Sequence, residues 1–181
     1  MRDIEGIEEV VAKLKPHFTT LVQHFEHENR IFIDLISSDH DALGRVLKCH
    51  LVVEHYLDRF LVAHFGIHNA EDARLTFAQK VTLLPNKATA AAFVKPGILQ
   101  LNRIRNRLGH SLGARLSVQD LGAIHTILDV ARPGVDFGNP VEAIETFTAV
   151  ASTFLIVQPP PLQRILAESF SSVHVRADAP E

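Results

Sequence analysis

An all-α fold follows from three features of this 181-residue sequence. Apolar residues recur at three- and four-residue spacings through nearly the whole chain. No stretch alternates apolar and polar as a half-buried strand does, and the breaks in the helical pattern fall on proline, glycine and capping residues. The first amphipathic segment covers about Ile4 to Leu14, and Pro16 restarts a helix that runs on to about Ile36. Ser38 or Asp39 is placed to cap a long second helix ending near Phe65, where Gly66 suits a left-handed C-terminal cap. A short helix from Thr76 to Leu84 closes at Pro85-Asn86. Ala88 to Val94 has the length for one or two turns, and Pro96 fits the first position of the next helix, to Leu108 or His110, with Gly109 and Gly113 loosening its end. Ser117-Val118-Gln119-Asp120 has the form of a capping box with Asp in place of Glu and opens a helix to about Ala131. Asn139-Pro140 starts the last long helix, to about Val157, which Pro159 to Pro161 stop. A helical pattern returns from Leu162 to Phe170, with a loose end after Arg176. The regions expected are an N-terminal helical segment (1–37), a helical domain (38–158) and a proline-led, loosely ordered tail (159–181).

Composition narrows the function classes. With 46% hydrophobic and 22% charged residues and a formal net charge of -3, the chain is neither disordered nor a uniformly basic nucleic-acid coat. The longest uncharged apolar-leaning stretch, Thr146 to Val157, is interrupted by Thr148, Ser152 and Thr153 and falls short of the roughly 20 residues that span a bilayer, so no membrane partner is expected. The acidic start, Met1 to Glu5, lacks a signal-peptide pattern, and the lone Cys49 has no disulfide partner, which makes a reducing cytoplasm the expected location. The charge is strongly segregated. From Ala73 through Gln119 the chain carries eight of its 18 basic residues and none of its 21 acidic ones. Such segregation marks a surface for an anionic partner, with a solvated basic face as the alternative.

Two helices carry charge on an apolar face. At 100° per residue, Leu43, Val46, Leu47, Leu51, Leu57, Leu61 and Phe65 form one arc of the second helix, with Glu54 near its middle and His50 one turn before it. On the helix after Pro96, Ile98, Leu101, Ile104, Leu108 and Leu112 form the corresponding arc, with Arg105 inside it. An isolated buried charge costs several kcal/mol, so the expectation is a Glu54–Arg105 pair between two packed helices. Asn102, Asn106 and His110 line another side at i, i+4, i+8.

The stretch Leu101-Asn102-Arg103-Ile104-Arg105-Asn106-Arg107-Leu108-Gly109-His110 carries R-N-x-x-x-H at a helix end, after a long helix with an inward Glu. In this it resembles the HEPN superfamily, whose signature is an Arg followed four to six residues later by His, with a polar residue, often Asn, after the Arg. The resemblance covers about Asp41 to Ala131. Within it, HLVVEHYLDRFL, LTFAQKVTLL and LNRIRNRLGH are similar to the corresponding helices of the mannitol operon repressor family and related bacterial proteins. The resemblance implies an up-and-down four-helix core with additional N- and C-terminal helices, paired as a two-fold homodimer whose Arg and His line a shared cleft. It also implies a metal-independent endoribonuclease, as in toxins of toxin–antitoxin systems, with an antitoxin or regulatory protein as a further partner. His110 would move the proton of the 2′-hydroxyl or of the leaving 5′-oxygen, and Arg105 would stabilise the phosphate. The Tyr that some toxins carry two positions after the His is replaced by Leu112, so nucleotidyl modification there is not expected.

The residue types suit that chemistry. Phosphodiester cleavage through a 2′-oxygen needs a proton shuttle and a fixed cation, which imidazole and guanidinium provide. Asn106, one turn before His110, is placed to hydrogen-bond one ring nitrogen, and Lys95, Arg103, Arg107 and Arg115 are candidates to hold flanking RNA phosphates, with Glu54 and His50 in support. On a straight helix, however, Arg105 and His110 point about 140° apart, because five residues turn through about 500°. They meet one phosphate only if the helix ends near Gly109 or a second chain completes the site. The alternatives are a noncatalytic dimeric regulator or adaptor like the mannitol repressor group, and a purely structural domain in which Arg105 serves the core and His110 caps the helix. No helix-turn-helix is recognisable.

Neither a metal nor an organic cofactor is expected. His24 with His27, and His50 with Glu54, have helical ligand spacing but no third ligand in register, while His64 and His68 straddle Gly66. Cys49 and His50 are adjacent on a helix and so do not face each other, and no glycine-rich phosphate loop or nucleophile elbow is present. Phe60, Phe65, Phe77 and Phe93 read as core.

Overall fold

A computed structural model describes residues 5–36, 40–66 and 74–175, without the side chains of residues 27, 28, 34 and 35. The Ser38 or Asp39 cap, His68, the His27 side chain and the end after Arg176 thus lie outside the described residues. The chain is all-α: among the described residues there are eight α-helices and no strand. It divides into two units, Met1–Ser38 and Asp39–Glu181. No single described helix is long and apolar enough to cross a membrane.

In the first unit, α1 (Ile7–Leu14) and α2 (Phe18–Ile36) are joined by a turn of 3-10 helix, Lys15–His17, around Pro16. Proline lacks the N–H that a continuous helix needs, and it breaks the run where the sequence indicates. The apolar stripe of these helices, including Val10, Val11, Leu14, Phe18, Val22 and Phe25, is exposed.

The second unit is built on four helices that share one core. These are α3 (His40–Phe65), α5 (Ala90–His110), α6 (Ala123–Ala131) and α7 (Pro140–Leu155); α3 packs on α7 and α5, and α6 packs on α5 and α7. Val53, Leu57 and Leu61 of α3 meet Ile98, Leu101 and Ile104 of α5, Ile124 and Leu128 of α6, and Ile144 and Phe147 of α7. Each such side chain contributes about 1.5–3 kcal/mol by leaving water. An exposed-edge clamp, Arg45 to Glu145 with both guanidinium bonds at 2.8–2.9 Å, fixes α3 against α7.

The sequence places α3's core face one step off. The buried residues are Val46, Cys49, His50, Val53, Leu57, Phe60 and Leu61, whereas Leu47, Leu51 and Phe65 are exposed. On that face the His50 imidazole meets Asn102 of the next long helix. Gly66, at φ 65°, ends α3 in the left-handed conformation the sequence indicates.

α4 (Phe77–Thr82) opens with a capping box between Thr76 and Gln79. The next helix corrects the reading of Pro96. α5 begins six residues earlier, where the Thr89 hydroxyl accepts the Ala92 N–H at 3.0 Å, and Pro96 lies inside it. Interior proline costs about 3 kcal/mol; burial of Ala91, Ala92 and Val94 at 0–2% exposure holds the first turns helical on the proline's N-terminal side. At the other end Leu112 lies past the helix, 81% exposed, and does not join the apolar arc. The Ser117–Asp120 capping box forms, but on a single 3-10 turn, and α6 starts only after Gly122. Asn139 caps α7 as the sequence indicates, its Oδ1 accepting the N–H groups of Val141 and Glu142.

α5 and α7 cross at Gly97. A Cβ there would stand 2.6 Å from Phe147 Cζ and 2.8 Å from Ile127 Cδ1, both in buried side chains. Gly97→Ala is therefore expected to destabilise the fold by about 1–3 kcal/mol through overpacking, despite alanine's higher helix propensity. A urea midpoint at or above wild type would contradict this close packing.

The tail folds back onto this unit. α8 (Pro160–Ser169) starts within the triple proline, Phe170 packs against Phe93 and Phe154 at 5.6 and 5.4 Å between ring centres, and Lys87 and His174 form an isolated antiparallel bridge. The Ala88 N–H donates to Val173 O and the Val175 N–H to Asn86 O, each at 2.8 Å.

Candidate functional site

The R-N-x-x-x-H motif occupies the last turns of α5. Leu101 and Ile104 anchor the helix in the core, which leaves Arg105 half-buried and Asn106, Arg107 and His110 exposed. Cationic side chains here face the free carbonyls and negative end of the helix dipole. Arg105 Nη1 donates to Asn106 Oδ1 at 3.1 Å. Asn106 thus orients the guanidinium, in place of the imidazole that its i+4 spacing suggests. Among the described residues His110's ring has no hydrogen-bond or ion-pair partner. α5 remains helical through His110, so Gly109 does not bend the chain, and Arg105 and His110 diverge by about 140° around the axis.

The Glu54–Arg105 pair does not form. Glu54 instead accepts from Lys80 Nζ of α4 at 2.9 Å, and the same ammonium donates to Asp58 at 3.0 Å. Lys80 is 5% exposed, and with Phe77 and Val81 it forms the buried face of α4. Burial lowers the ammonium's pKa, but bonds and charge from the two carboxylates outweigh it, so the net shift is upward. Lys80 is closer to the core than Arg105 and can be wholly enclosed there. Arg105, near the end of α5, is left to solvent and to Asn106.

His50 is the second buried polar group of this interface. Its Nε2–H donates to Asn102 Oδ1 at 3.2 Å and its ring stacks on Phe77 at 3.9 Å, while Nδ1 has no partner among the described residues. Burial lowers its pKa below the ordinary 6.5; the Asn102 bond and Glu54 oppose the shift, and the Arg105 and Lys80 charges add to it. As pH falls below about 6.5, the unfolded chain protonates this residue first. Stability is therefore expected to decline as pH falls from there through the lower folded value. Asp120 and Glu145, whose pKa values are lowered from 3.8 and 4.5, contribute stability that is lost only further into acid. Urea midpoints compared at about pH 7 and about pH 5.5 should fall for wild type and fall less for His50→Leu; equal slopes would contradict a neutral, buried His50.

The basic segment does not form one face. Lys95, expected at an RNA surface, is 6% exposed, and its ammonium donates to Thr82 O at 3.1 Å, Leu84 O at 2.7 Å and Asn86 Oδ1 at 2.7 Å. It closes the carbonyl end of α4, and burial lowers its pKa. Arg107 forms a short ion pair with Asp120 and donates to Arg115 O at 3.3 Å. The Arg107 bond, with bonds from Ser117, holds the Asp120 carboxyl far below the usual carboxylate range. Arg115 is exposed. Arg103 shares a helix side with Arg107 and, at two residues' separation, lies about 160° around the axis from Arg105.

Among the described residues no group of three or more His, Cys, Asp or Glu side chains is gathered as for a metal ion. Cys49 is buried, and desolvation raises its thiol pKa, which suits packing and not nucleophilic attack. No family model, curated protein or solved structure matches the chain.

Proposed function

We propose that the C-terminal turns of α5 form an RNA-cleaving site of HEPN type, completed by a second copy of the chain in a two-fold dimer. The observation that carries this reading is the presence at one helix end of an exposed imidazole, His110, without a partner among the described residues, and of a guanidinium oriented by a neighbouring amide, Arg105 on Asn106. In the proposed reaction the 2′-oxygen attacks phosphorus and its proton passes to one His110 imidazole. The P–O5′ bond breaks, the leaving oxygen takes a proton from water, and the products are a 2′,3′-cyclic phosphate and a 5′-hydroxyl end. Arg105 balances the added charge on the nonbridging oxygens. The divergence of the two side chains around α5 is the reason a second chain enters the proposal: Arg105 of one copy would face His110 of the other.

End-labelled RNA incubated with the protein in excess chelator tests this. Cleavage to cyclic-phosphate ends that is lost in His110→Ala supports the reading, and intact RNA with folded wild type overturns it. A second reading is a noncatalytic regulator that binds RNA or a protein partner. It is favoured by the internal engagement of Lys80, Lys95 and Arg107, which leaves fewer cations for phosphates than the charge run suggests. Under it, RNA is bound and left uncut.

A further inference from the structure

None of the described side chains of the first unit is buried. Most helical stability in water comes from packing an apolar face, so the 19 residues of α2 call for a cover. The stripe to be covered has heptad spacing: Phe18, Val22, Phe25, Asn29 and Phe32 follow at steps of four, three, four and three. At 100° per residue these five fall within an arc of about 80°. That is the narrow seam of a coiled coil, where a helix laid on a globular core shows a broader face. With Phe18 assigned to d, all three phenylalanines are d residues, and Val22 and Asn29 are a residues. The 3-10 turn around Pro16 breaks the phase from α1, so the seam begins with Phe18. Thr20, Gln23, His24 and Arg30 occupy the opposite side of the helix.

Asn29 indicates what occupies the seam. An amide in the middle of an apolar stripe loses its hydrogen bonds against an apolar groove. Opposite an identical helix in a parallel, in-register pair, the same amide meets its own copy, which can accept its Nδ2–H. In an antiparallel pair an a residue faces a d residue, so Asn29 would stand against phenylalanine. Val22, β-branched at a, also favours two strands. Phe18, Val22, Phe25, Phe32 and the flanking Ile33 are 47–58% exposed. Together they offer about 600 Å² of apolar surface per chain, and a pair of about 1,200 Å² reaches the lower bound of specific interfaces. A lipid surface fits less well. Membrane-surface helices are rich in Lys and Arg, whereas α2 sets Arg30 against Glu26, Glu28 and Asp34.

We infer that α2 pairs in parallel with α2 of a second copy of the chain, with Phe18, Val22, Phe25 and Phe32 forming the seam and Asn29 setting its register. The pairing does not rest on the RNA reading. It makes the N-terminal unit an association element and couples the helix content of α2 to association.

Sedimentation equilibrium of the full chain tests the inference. Wild type is expected to dimerise with a Kd on the order of 10 µM, as the small interface implies. Phe25→Asp combined with Phe32→Asp, both at exposed positions, should raise the Kd at least about 100-fold by placing charge in the seam. Asn29→Val should lower the Kd about tenfold and add species larger than a dimer, since the amide no longer fixes register and strand number. Under mild oxidation Val22→Cys should link two chains covalently, whereas Thr20→Cys, on the far side of the helix, should not. The native Cys49 is buried and does not compete. A wild type that stays monomeric at about 500 µM, an unchanged Kd in the Phe25→Asp, Phe32→Asp variant, equal linking at positions 20 and 22, or an Asn29→Val variant of unchanged Kd and mass would each overturn it. So would binding to anionic phospholipid vesicles by a chain that remains monomeric in solution, which assigns the stripe to lipid.

Discussion

Lys80→Met is expected to lower the stability of the second unit by about 3 kcal/mol, a larger effect than removing any surface ion pair. The ammonium is 7% exposed at the side chain and neutralises Glu54 and Asp58, which are 28% and 27% exposed and lie one turn apart on α3. Methionine preserves the apolar stem but leaves two partly desolvated carboxylates facing each other. Because the carboxylates keep some water, the loss falls at the low end of the range for broken buried pairs. Adding Glu54→Gln and Asp58→Asn should recover most of it, since the three neutral groups no longer carry an uncompensated charge. The raised pKa of Lys80 fixes the sign of the pH dependence. Its contribution is complete below 10.5, the ordinary value, and is lost only as pH rises through the higher folded value. Urea denaturation followed by helical circular dichroism measures both effects; a triple variant no more stable than Lys80→Met would contradict the charge explanation.

The second large effect concerns activity. His110→Ala is expected to reduce RNA cleavage by about 100- to 10,000-fold, the range for loss of a general acid or base. Arg105→Ala should reduce it by about 100- to 1,000-fold through lost electrostatic stabilisation. Arg105→Ala becomes a clean probe because Lys80, and not Arg105, neutralises Glu54. Both variants are expected to unfold within about 0.5 kcal/mol of wild type. A variant that loses activity and several kcal/mol of stability together would place its residue in the fold instead.

Helix boundaries were legible in the sequence wherever local chemistry decides them. Pro16, Gly66, Thr76 and Asn139 each act within one turn, so their effects survive folding, whereas the Ser117–Asp120 box forms but opens only a 3-10 turn ahead of α6. Pro96 stays inside α5 because a good cap at Thr89 and buried alanines override the local cost of proline, a tertiary effect that no short stretch of sequence contains. Glu54 pairs with Lys80 instead of Arg105 for a related reason. Helical projection placed Arg105 and Glu54 on inner faces, yet it could not rank two cations on different helices by depth. The available signal was Lys80 itself, which falls with Phe77 and Val81 on the buried side of a six-residue helix. Net charge along the chain was equally one-dimensional. The acid-free run from Ala73 to Gln119 conceals Lys80 and Lys95 in the interior, and Asp120, its first acidic successor, closes on Arg107. The tail's return could not be foreseen, because one isolated bridge and one aromatic cluster leave no periodic trace.

The most direct test of the proposed composite site mixes two inactive variants. If Arg105 of one chain works with His110 of its partner, a heterodimer of Arg105→Ala and His110→Ala retains one intact site of two. After unfolding and refolding together at equal amounts, half the dimers are mixed and cleavage should return to about one quarter of the wild-type rate. A mixture as inactive as either variant alone, beside an active wild type treated in the same way, would contradict the shared site.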